Sequence, residues 1–181
     1  MSLTLSDIQH LYAAAGNALY GGEAISQREH ALQAAWLAEQ AGEDDALVIA
    51  CLLHDLGHLL FEQGDDDLRQ GLDDLHQYKV LPFLRHLLPD EVVNPIGLHV
   101  EAKRYLCQAE PGYAEALSES SRLSLALQGG AMSPEAAVAF AHQPHAQRAI
   151  TLRRYDDAAK IVGMVTPEFD YFLPRLAALA K

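Results

Sequence analysis

The chain is 181 residues long and half apolar, which is enough for one domain with a substantial buried core and excludes wholesale disorder. Its 13 Lys and Arg against 25 Asp and Glu give a formal net charge of −12, which argues against non-specific binding to nucleic acid or to an anionic membrane. No apolar run approaches the roughly 18 residues needed to span a bilayer, the first residues lack a signal peptide's basic and apolar regions, and Cys51 and Cys107 make no disulfide framework. A cytoplasmic protein with free thiols is expected.

In chain order, residues 7–19 form the first predicted helix, with Ser6 as cap and Gln9 as its partner, ended by Gly21-Gly22. Ser26-Gln27-Arg28-Glu29 is a second capping box and opens a helix to residue 41, stopped at Gly42. Residues 46–61, which include Cys51, are apolar around most of a helical circumference, so a central buried helix is expected. The segment 64–67 reads as a polar, solvated loop. Residues 73–88 are predicted helical with a break near Pro82, and Asn94-Pro95 is read as the start of a helix reaching about residue 107. Pro111-Gly112 marks a turn. Residues 118–128 are predicted helical and closed by Gly129-Gly130, Ser133-Pro134-Glu135 opens a short helix, residues 145–162 form another, and Thr166-Pro167-Glu168 opens the last. Alternating strand patterns and internal repeats are absent from the sequence. The expectation is an all-α helical bundle of about eight to ten helices, forming a single domain over residues 1–181.

Nine histidines stand out in this composition, because His is the commonest metal ligand and a switchable acid or base. The sharpest local feature is His54-Asp55-Leu56-Gly57-His58 within an apolar helix. A buried carboxylate needs a cation or several donors to stay ionised. Antiparallel packing of the second and third helices brings His30 towards His54. His76, His99 and Asp156 follow, at spacings of 24, 22, 23 and 57 residues along the series His30, His54, His76, His99, Asp156. Four imidazoles and two carboxylates suffice for two adjacent metal sites with one carboxylate between them, and mixed N/O ligation suits iron, manganese or zinc.

His99 and Lys103 are one helical turn apart, and Arg153, Asp156 and Lys160 follow an i, i+3, i+7 spacing. Asp156 is preferred to its neighbour Asp157 on that ground. Lys103 and Arg153 are therefore candidate contacts for an anionic ligand, with Ser121 as a hydroxyl contact. Arg154 points elsewhere. His10, His86, His142 and His145 match no ligand position, and Trp36 reads as core.

The ordered set of His and Asp residues resembles the HD-domain superfamily of helical metal-dependent proteins, and His76 and His99 resemble its dinuclear branch. Most of that superfamily are phosphohydrolases. A smaller branch, including myo-inositol oxygenase and the oxygenases that cleave the carbon–phosphorus bond of 1-hydroxylated aminophosphonates, uses a mixed-valent di-iron centre and O₂. Tyr20-Gly21-Gly22-Glu23, ten residues before His30, the His54-to-His58 run, Leu127-Gln128-Gly129-Gly130 and the segment from Arg154 to Lys160 resemble the phosphonate group in particular.

That resemblance implies that His30, His54, Asp55 and Asp156 hold one iron, and that Asp55 bridges to a second held by His76 and His99. It also implies that Tyr20 covers the metal until substrate displaces it, that Glu23 receives the substrate's cationic nitrogen, and that His58, Lys103, Arg153 and Ser121 surround the phosphonate. The implied cofactors are two iron ions in the Fe(II)/Fe(III) state with O₂ as co-substrate. The implied substrate is a small 1-hydroxy-2-(amino or trimethylammonio)ethylphosphonate, split into phosphate and glycine or glycine betaine. The alternative is a metal-dependent phosphohydrolase acting on a nucleotide or phosphate ester, which has no use for the Tyr20–Glu23 lid.

Overall fold

The computed structural model describes residues 3–61, 71 and 73–181; the predicted loop at 64–67 lies outside the described residues. Among the described residues the secondary structure is helical, apart from one isolated antiparallel bridge between Leu19 and Ser26. Among the described residues, eight helices have eight residues or more: α1 (Leu5–Ala15), α2 (Gln27–Gln40), α3 (Asp45–Leu53), α7 (Asp90–Ala109), α9 (Glu119–Leu127), α10 (Pro134–Ala141), α11 (Ala146–Ala158) and α12 (Phe169–Leu179). Four short ones link them: α4 (Leu56–Leu60), α5 (His76–Lys79), α6 (Leu81–Leu84) and α8 (Tyr113–Ala116).

The caps show why several helices begin where they do. Ser26 and Glu29 form a reciprocal capping box at α2, and Ser118 and Ser133 cap α9 and α10 through their hydroxyls. At α1 the box is Thr4 with Asp7, so the helix starts earlier than Ser6 and Gln9 suggested. Asp7 serves because its carboxylate reaches back to the Thr4 N–H at 2.8 Å.

The centre of the bundle is α3, in which every residue from Leu47 to Leu53 is buried. It packs against α2, α7, α11 and α12, forming a core with Ile8, Ala35, Ile96, Leu152 and Phe172. Each fully buried Leu or Ile contributes about 1.5–3 kcal/mol of transfer free energy. A second apolar cluster, including Leu106, Leu117, Phe140 and Ile150, joins the C-terminal half of α7 to α10 and α11. Trp36 is half-buried against the main core, edge-on to Tyr171.

Three departures from the sequence reading shape the site. The predicted single helix over 46–61 breaks at His54 and Asp55, where Asp55 takes φ −103° and ψ 11° before α4 begins. Neighbouring residues on an unbroken helix do not face one point, and the break lets these two do so. Pro95 lies inside α7 and not at its start, so His99 sits mid-helix. Finally, α11 ends at Ala158, which leaves Lys160 beyond the helix on which its spacing had placed it.

Candidate metal centre

His30 near the start of α2, His54 at the end of α3 and Asp156 in α11 converge, as do Asp55, His76 at the start of α5 and His99 in α7. All six are buried. The Nε2 atoms of His30 and His54 are 3.1 Å apart, and so are those of His76 and His99. Asp55 lies between the pairs. Its Oδ2 is 3.3 Å from His54 Nε2 and 3.6 Å from His30 Nε2, whereas its Oδ1 is 3.3 Å from His76 Nε2 and 3.6 Å from His99 Nε2. Asp156 Oδ1 completes the first group at 3.4 Å from His30 Nε2.

The other ring nitrogens fix the chemistry of these donors. Nδ1–H of His30 donates to the Ala159 carbonyl at 2.7 Å, that of His54 to Cys51 at 2.8 Å and that of His99 to Ile96 at 2.7 Å. His76 Nδ1 is 2.8 Å from Asp74 Oδ1. A carbonyl only accepts, so in a neutral ring the lone pair is left on Nε2. Two inward-facing lone pairs beside a carboxylate call for a cation between them. Two imidazole nitrogens each about 2.1 Å from one ion and roughly at right angles stand about 3 Å apart. The residues therefore fit two divalent ions, one per group, with Asp55 offering one oxygen to each.

The electrostatics agree with sites built for positive charge. Burial alone would raise Asp55 and Asp156, yet both lie well below the usual carboxylate range, held there by His54 and His76 for Asp55 and by Arg153 and His30 for Asp156. Burial opposes a charge on His76, but hydrogen bonds to Asp55 and Asp74 outweigh it and push it up to about 9. Burial and the neighbouring His76 charge push His99 down to about 3.

A cavity of about 120 Å³ opens over both groups and is lined by Tyr20, Glu23, His58, Lys103, Ser121, Gln128, Arg153 and Lys160, among others. Tyr20 stacks on His30, with ring centroids 3.7 Å apart, and its hydroxyl approaches Asp156 Oδ1 at 3.4 Å. Burial and the charges of Asp156 and Asp55 keep that hydroxyl protonated, well above its ordinary pKa. Glu23 Oε1 is buried without a hydrogen-bond partner. His58 stacks on His76 at 4.0 Å and holds Asp74 Oδ2 at 2.8 Å through Nδ1.

On the cationic wall, Lys103 Nζ donates to Ser124 Oγ at 2.9 Å; burial, reinforced by the Arg153 charge, pushes the ammonium down to about 7. Arg153 lies against Asp156, Asp157 and Tyr113, with only a 3.5 Å contact to Ser121. Asp156 thus faces the imidazoles, while Asp157 pairs with Arg153 and Tyr113. His10, His86 and His142 are exposed, and His145 is half-buried at the start of α11 with φ 65°.

Sequence reasoning missed Asp74, which joins His58 to His76, and Gln33, whose side chain both donates to Ile161 O (2.8 Å) and accepts from Ile161 N (2.9 Å). The only signal for Asp74 was an acid two residues before a ligand candidate. Gln33 lies one turn after His30, on the same face of α2. The glycine of the His54-to-His58 run also has a structural reason: a Cβ on Gly57 would stand 2.3 Å from the His76 carbonyl oxygen.

The family model described as HD domain matches residues 28–141, a span that ends before Asp156. The chain is 37% identical over 159 residues to a 1-hydroxy-2-(trimethylamino)ethylphosphonate dioxygenase (glycine-betaine-forming) of Leisingera caerulea, covering 88% of this chain and 81% of the relative. It is 38% identical over 151 residues to a hydroxymethylphosphonate dioxygenase of Gimesia maris, covering 83% and 75%. A protein of Acanthamoeba polyphaga mimivirus is 34% identical over 171 residues, covering 93% and 78%.

Proposed function

The chain belongs to the HD-domain family, and we propose that within it the protein is a di-iron oxygenase that uses O₂ to cleave the C–P bond of a small 1-hydroxyphosphonate. The products would be phosphate and a carboxylate. For 1-hydroxy-2-aminoethylphosphonate the products are glycine and phosphate, which together contain every substrate atom and both atoms of O₂. The single observation that carries the reading is Asp55, which turns one carboxylate oxygen to each of two buried imidazole pairs beneath a cavity with a cationic wall. The relatives named as phosphonate dioxygenases support the choice of anion and of oxygen chemistry.

In this reading His30, His54, Asp55 and Asp156 would hold one iron, and His76 and His99 would hold the second together with Asp55. The iron pair would supply the activation of O₂, which is the oxidant for the substrate carbon. The chain's own residues do the rest. Tyr20 covers the first site in the free protein and yields its place to the substrate. Lys103 and Ser121 receive the phosphonate, and the charge on Arg153 adds to the attraction. Glu23, whose Oε1 is buried without a hydrogen-bond partner, faces the substrate's cationic nitrogen. Asp74 holds His58 at the cavity edge with Nδ1 engaged, so Nε2 is the nitrogen left to meet the bound molecule.

The test is anaerobic purification with metal analysis, then phosphate release from 1-hydroxy-2-aminoethylphosphonate with and without O₂, with the trimethylated compound and hydroxymethylphosphonate alongside. Two irons per chain and phosphate release that requires O₂ are expected. Phosphate from ordinary phosphate esters in the absence of O₂ would make the protein a phosphohydrolase instead.

A further inference from the structure

We propose that Gln33 is a positioning residue for the metal ligand His30: its clasp on Ile161 holds the Ala159 carbonyl where that carbonyl fixes the tautomer and direction of the His30 ring. The inference rests on the metal-centre part of the reading above and not on the choice of substrate.

It starts from how each imidazole is oriented. His54 and His99 donate from Nδ1 to carbonyls three residues earlier, Cys51 in α3 and Ile96 in α7. His76 uses Asp74, two residues earlier. In each case the partner is placed by the ligand's own stretch of chain. His30 is different. Its Nδ1–H reaches the Ala159 carbonyl at 2.7 Å, across 129 residues. Ala159 lies just past the end of α11, with φ −84° and ψ 49°. No helical ladder aims its carbonyl, so the hold must come from elsewhere.

Gln33 supplies it. The residue follows His30 by one turn on the same face of α2 and is 1% exposed. Its Nε2 donates to Ile161 O at 2.8 Å, and its Oε1 accepts from Ile161 N at 2.9 Å. A primary amide used in both directions acts as a neighbouring strand would, and it fixes the peptide planes on both sides of Ile161. Helix α2 thus grips the chain beyond α11 at residues 159 and 161, once through His30 and once through Gln33. Gln33 lies outside the cavity lining, and a buried amide needs such bonds to offset its lost hydration.

The brace reaches the metal site in two ways. With Nδ1–H engaged, the lone pair of a neutral His30 ring stays on Nε2, beside His54 and Asp156. Asp156 stands three residues before Ala159, so the same clasp sets the spacing between the two helices that carry these ligands. A second hold on the ring is Tyr20, stacked at 3.7 Å. Once Tyr20 gives way to substrate, the Ala159 bond is the one that keeps the ring in place.

The test reads the ring directly. With isotope-labelled histidine, the Nδ1–H signals of His30, His54 and His99 are followed by NMR in the metal-free and Zn(II)-loaded protein, and Zn(II) affinity is measured by competition with a chelator. Gln33→Met keeps the side-chain volume and removes both bonds. It is expected to speed exchange of the His30 Nδ1–H with water about tenfold, while His54 and His99 exchange as in the parent. Zn(II) affinity of the group formed by His30, His54 and Asp156 should fall about 10- to 100-fold, with the group formed by Asp55, His76 and His99 unchanged. Gln33→Glu keeps an acceptor for the Ile161 N–H and loses the donor to its carbonyl; if Gln33→Met does not fold, this variant must shift the same single signal. A His30 exchange rate equal to the parent's, three signals that quicken together, or parent-like Zn(II) affinity in both groups overturns the proposal. If the parent binds no Zn(II), the metal-centre reading fails, and the ring N–H comparison in the metal-free protein still decides whether Gln33 orients His30.

Discussion

The imidazoles of His58 and His76 lie face to face, 4.0 Å between centroids, because one carboxylate holds them both. Asp74 takes His76 Nδ1 on Oδ1 and His58 Nδ1 on Oδ2, each at 2.8 Å. Partners of this kind orient a ligand ring and raise its basicity, and losing one typically costs 10- to 100-fold in metal affinity or activity. Asp74→Ala is therefore expected to weaken metal retention by about that factor in the group formed by Asp55, His76 and His99. Metal per chain after dialysis against graded chelator reads this directly. Retention equal to the parent's would remove Asp74 from any supporting role.

Gly57→Ala should damage the same group from the other side. The added methyl would lie 2.3 Å from the His76 carbonyl oxygen and 2.9 Å from its carbon. Both atoms are backbone, so α4 and α5 must separate. Overpacking of this kind costs about 1–3 kcal/mol, and urea unfolding should show it as a lower midpoint with an unchanged slope. Loss of metal from the Asp55, His76 and His99 group should accompany it.

Lys103 predicts a pH dependence of anion binding. Burial and the Arg153 charge push its ammonium down to about 7, so the charge is present below that pH and lost as pH rises through it. Sulfate is a suitable probe because its own charge stays constant over that range. Its affinity should fall as pH rises from about 6 to about 8.5, and Lys103→Arg, charged throughout, should flatten the profile. A profile in Lys103→Arg as steep as the parent's would assign the dependence elsewhere.

Away from the site, Asp44 caps α3 by accepting from the Leu47 N–H at 2.9 Å and grips Arg148 of α11 through two hydrogen bonds of 2.7 and 2.8 Å. The Arg148 hydrogen bonds hold the Asp44 carboxyl at about 2, against an ordinary 3.8. A depressed carboxylate stabilises the fold above its unfolded pKa, and that contribution is lost as pH falls from about 4 through about 2. Asp44→Ala should cost about 1–2 kcal/mol at neutral pH, mostly through the lost cap because the ion pair is solvent-exposed. Asp44→Asn, which keeps a capping oxygen, should lose less. Thermal melts at neutral pH and near pH 3 separate the two contributions.

The parts legible in the sequence were those decided locally. Ser26 with Glu29, and Ser118 and Ser133, announce helix starts because a cap needs only residues three apart. The meeting of His30 with His54 followed from two consecutive helices joined by a short turn at Gly42. The break at His54–Asp55 was hidden because apolar residues resume directly after it at Leu56, Leu59 and Leu60, so the segment still reads as one buried helix. Pro95 misled because proline favours a first turn, while here it lies well inside a 20-residue helix. Lys160 reaches the cavity by a different route from the one its spacing suggested. Helical phase cannot place it once α11 has ended, and the bond between Gln33 and Ile161 spans 128 positions of the chain.

That long reach also bears on how the protein comes apart. His30 closes a loop to the Ala159 carbonyl, 129 residues on, and the centre gathers side chains from α2, the end of α3, α5, α7 and α11. Ions bound there would act as a seam stitching the early and late parts of the chain, so holding them would be inseparable from holding the whole bundle shut. Loading should then raise the melting temperature in proportion to the logarithm of free metal over its dissociation constant, and stripping should make the two ends of the chain accessible to hydrogen exchange together.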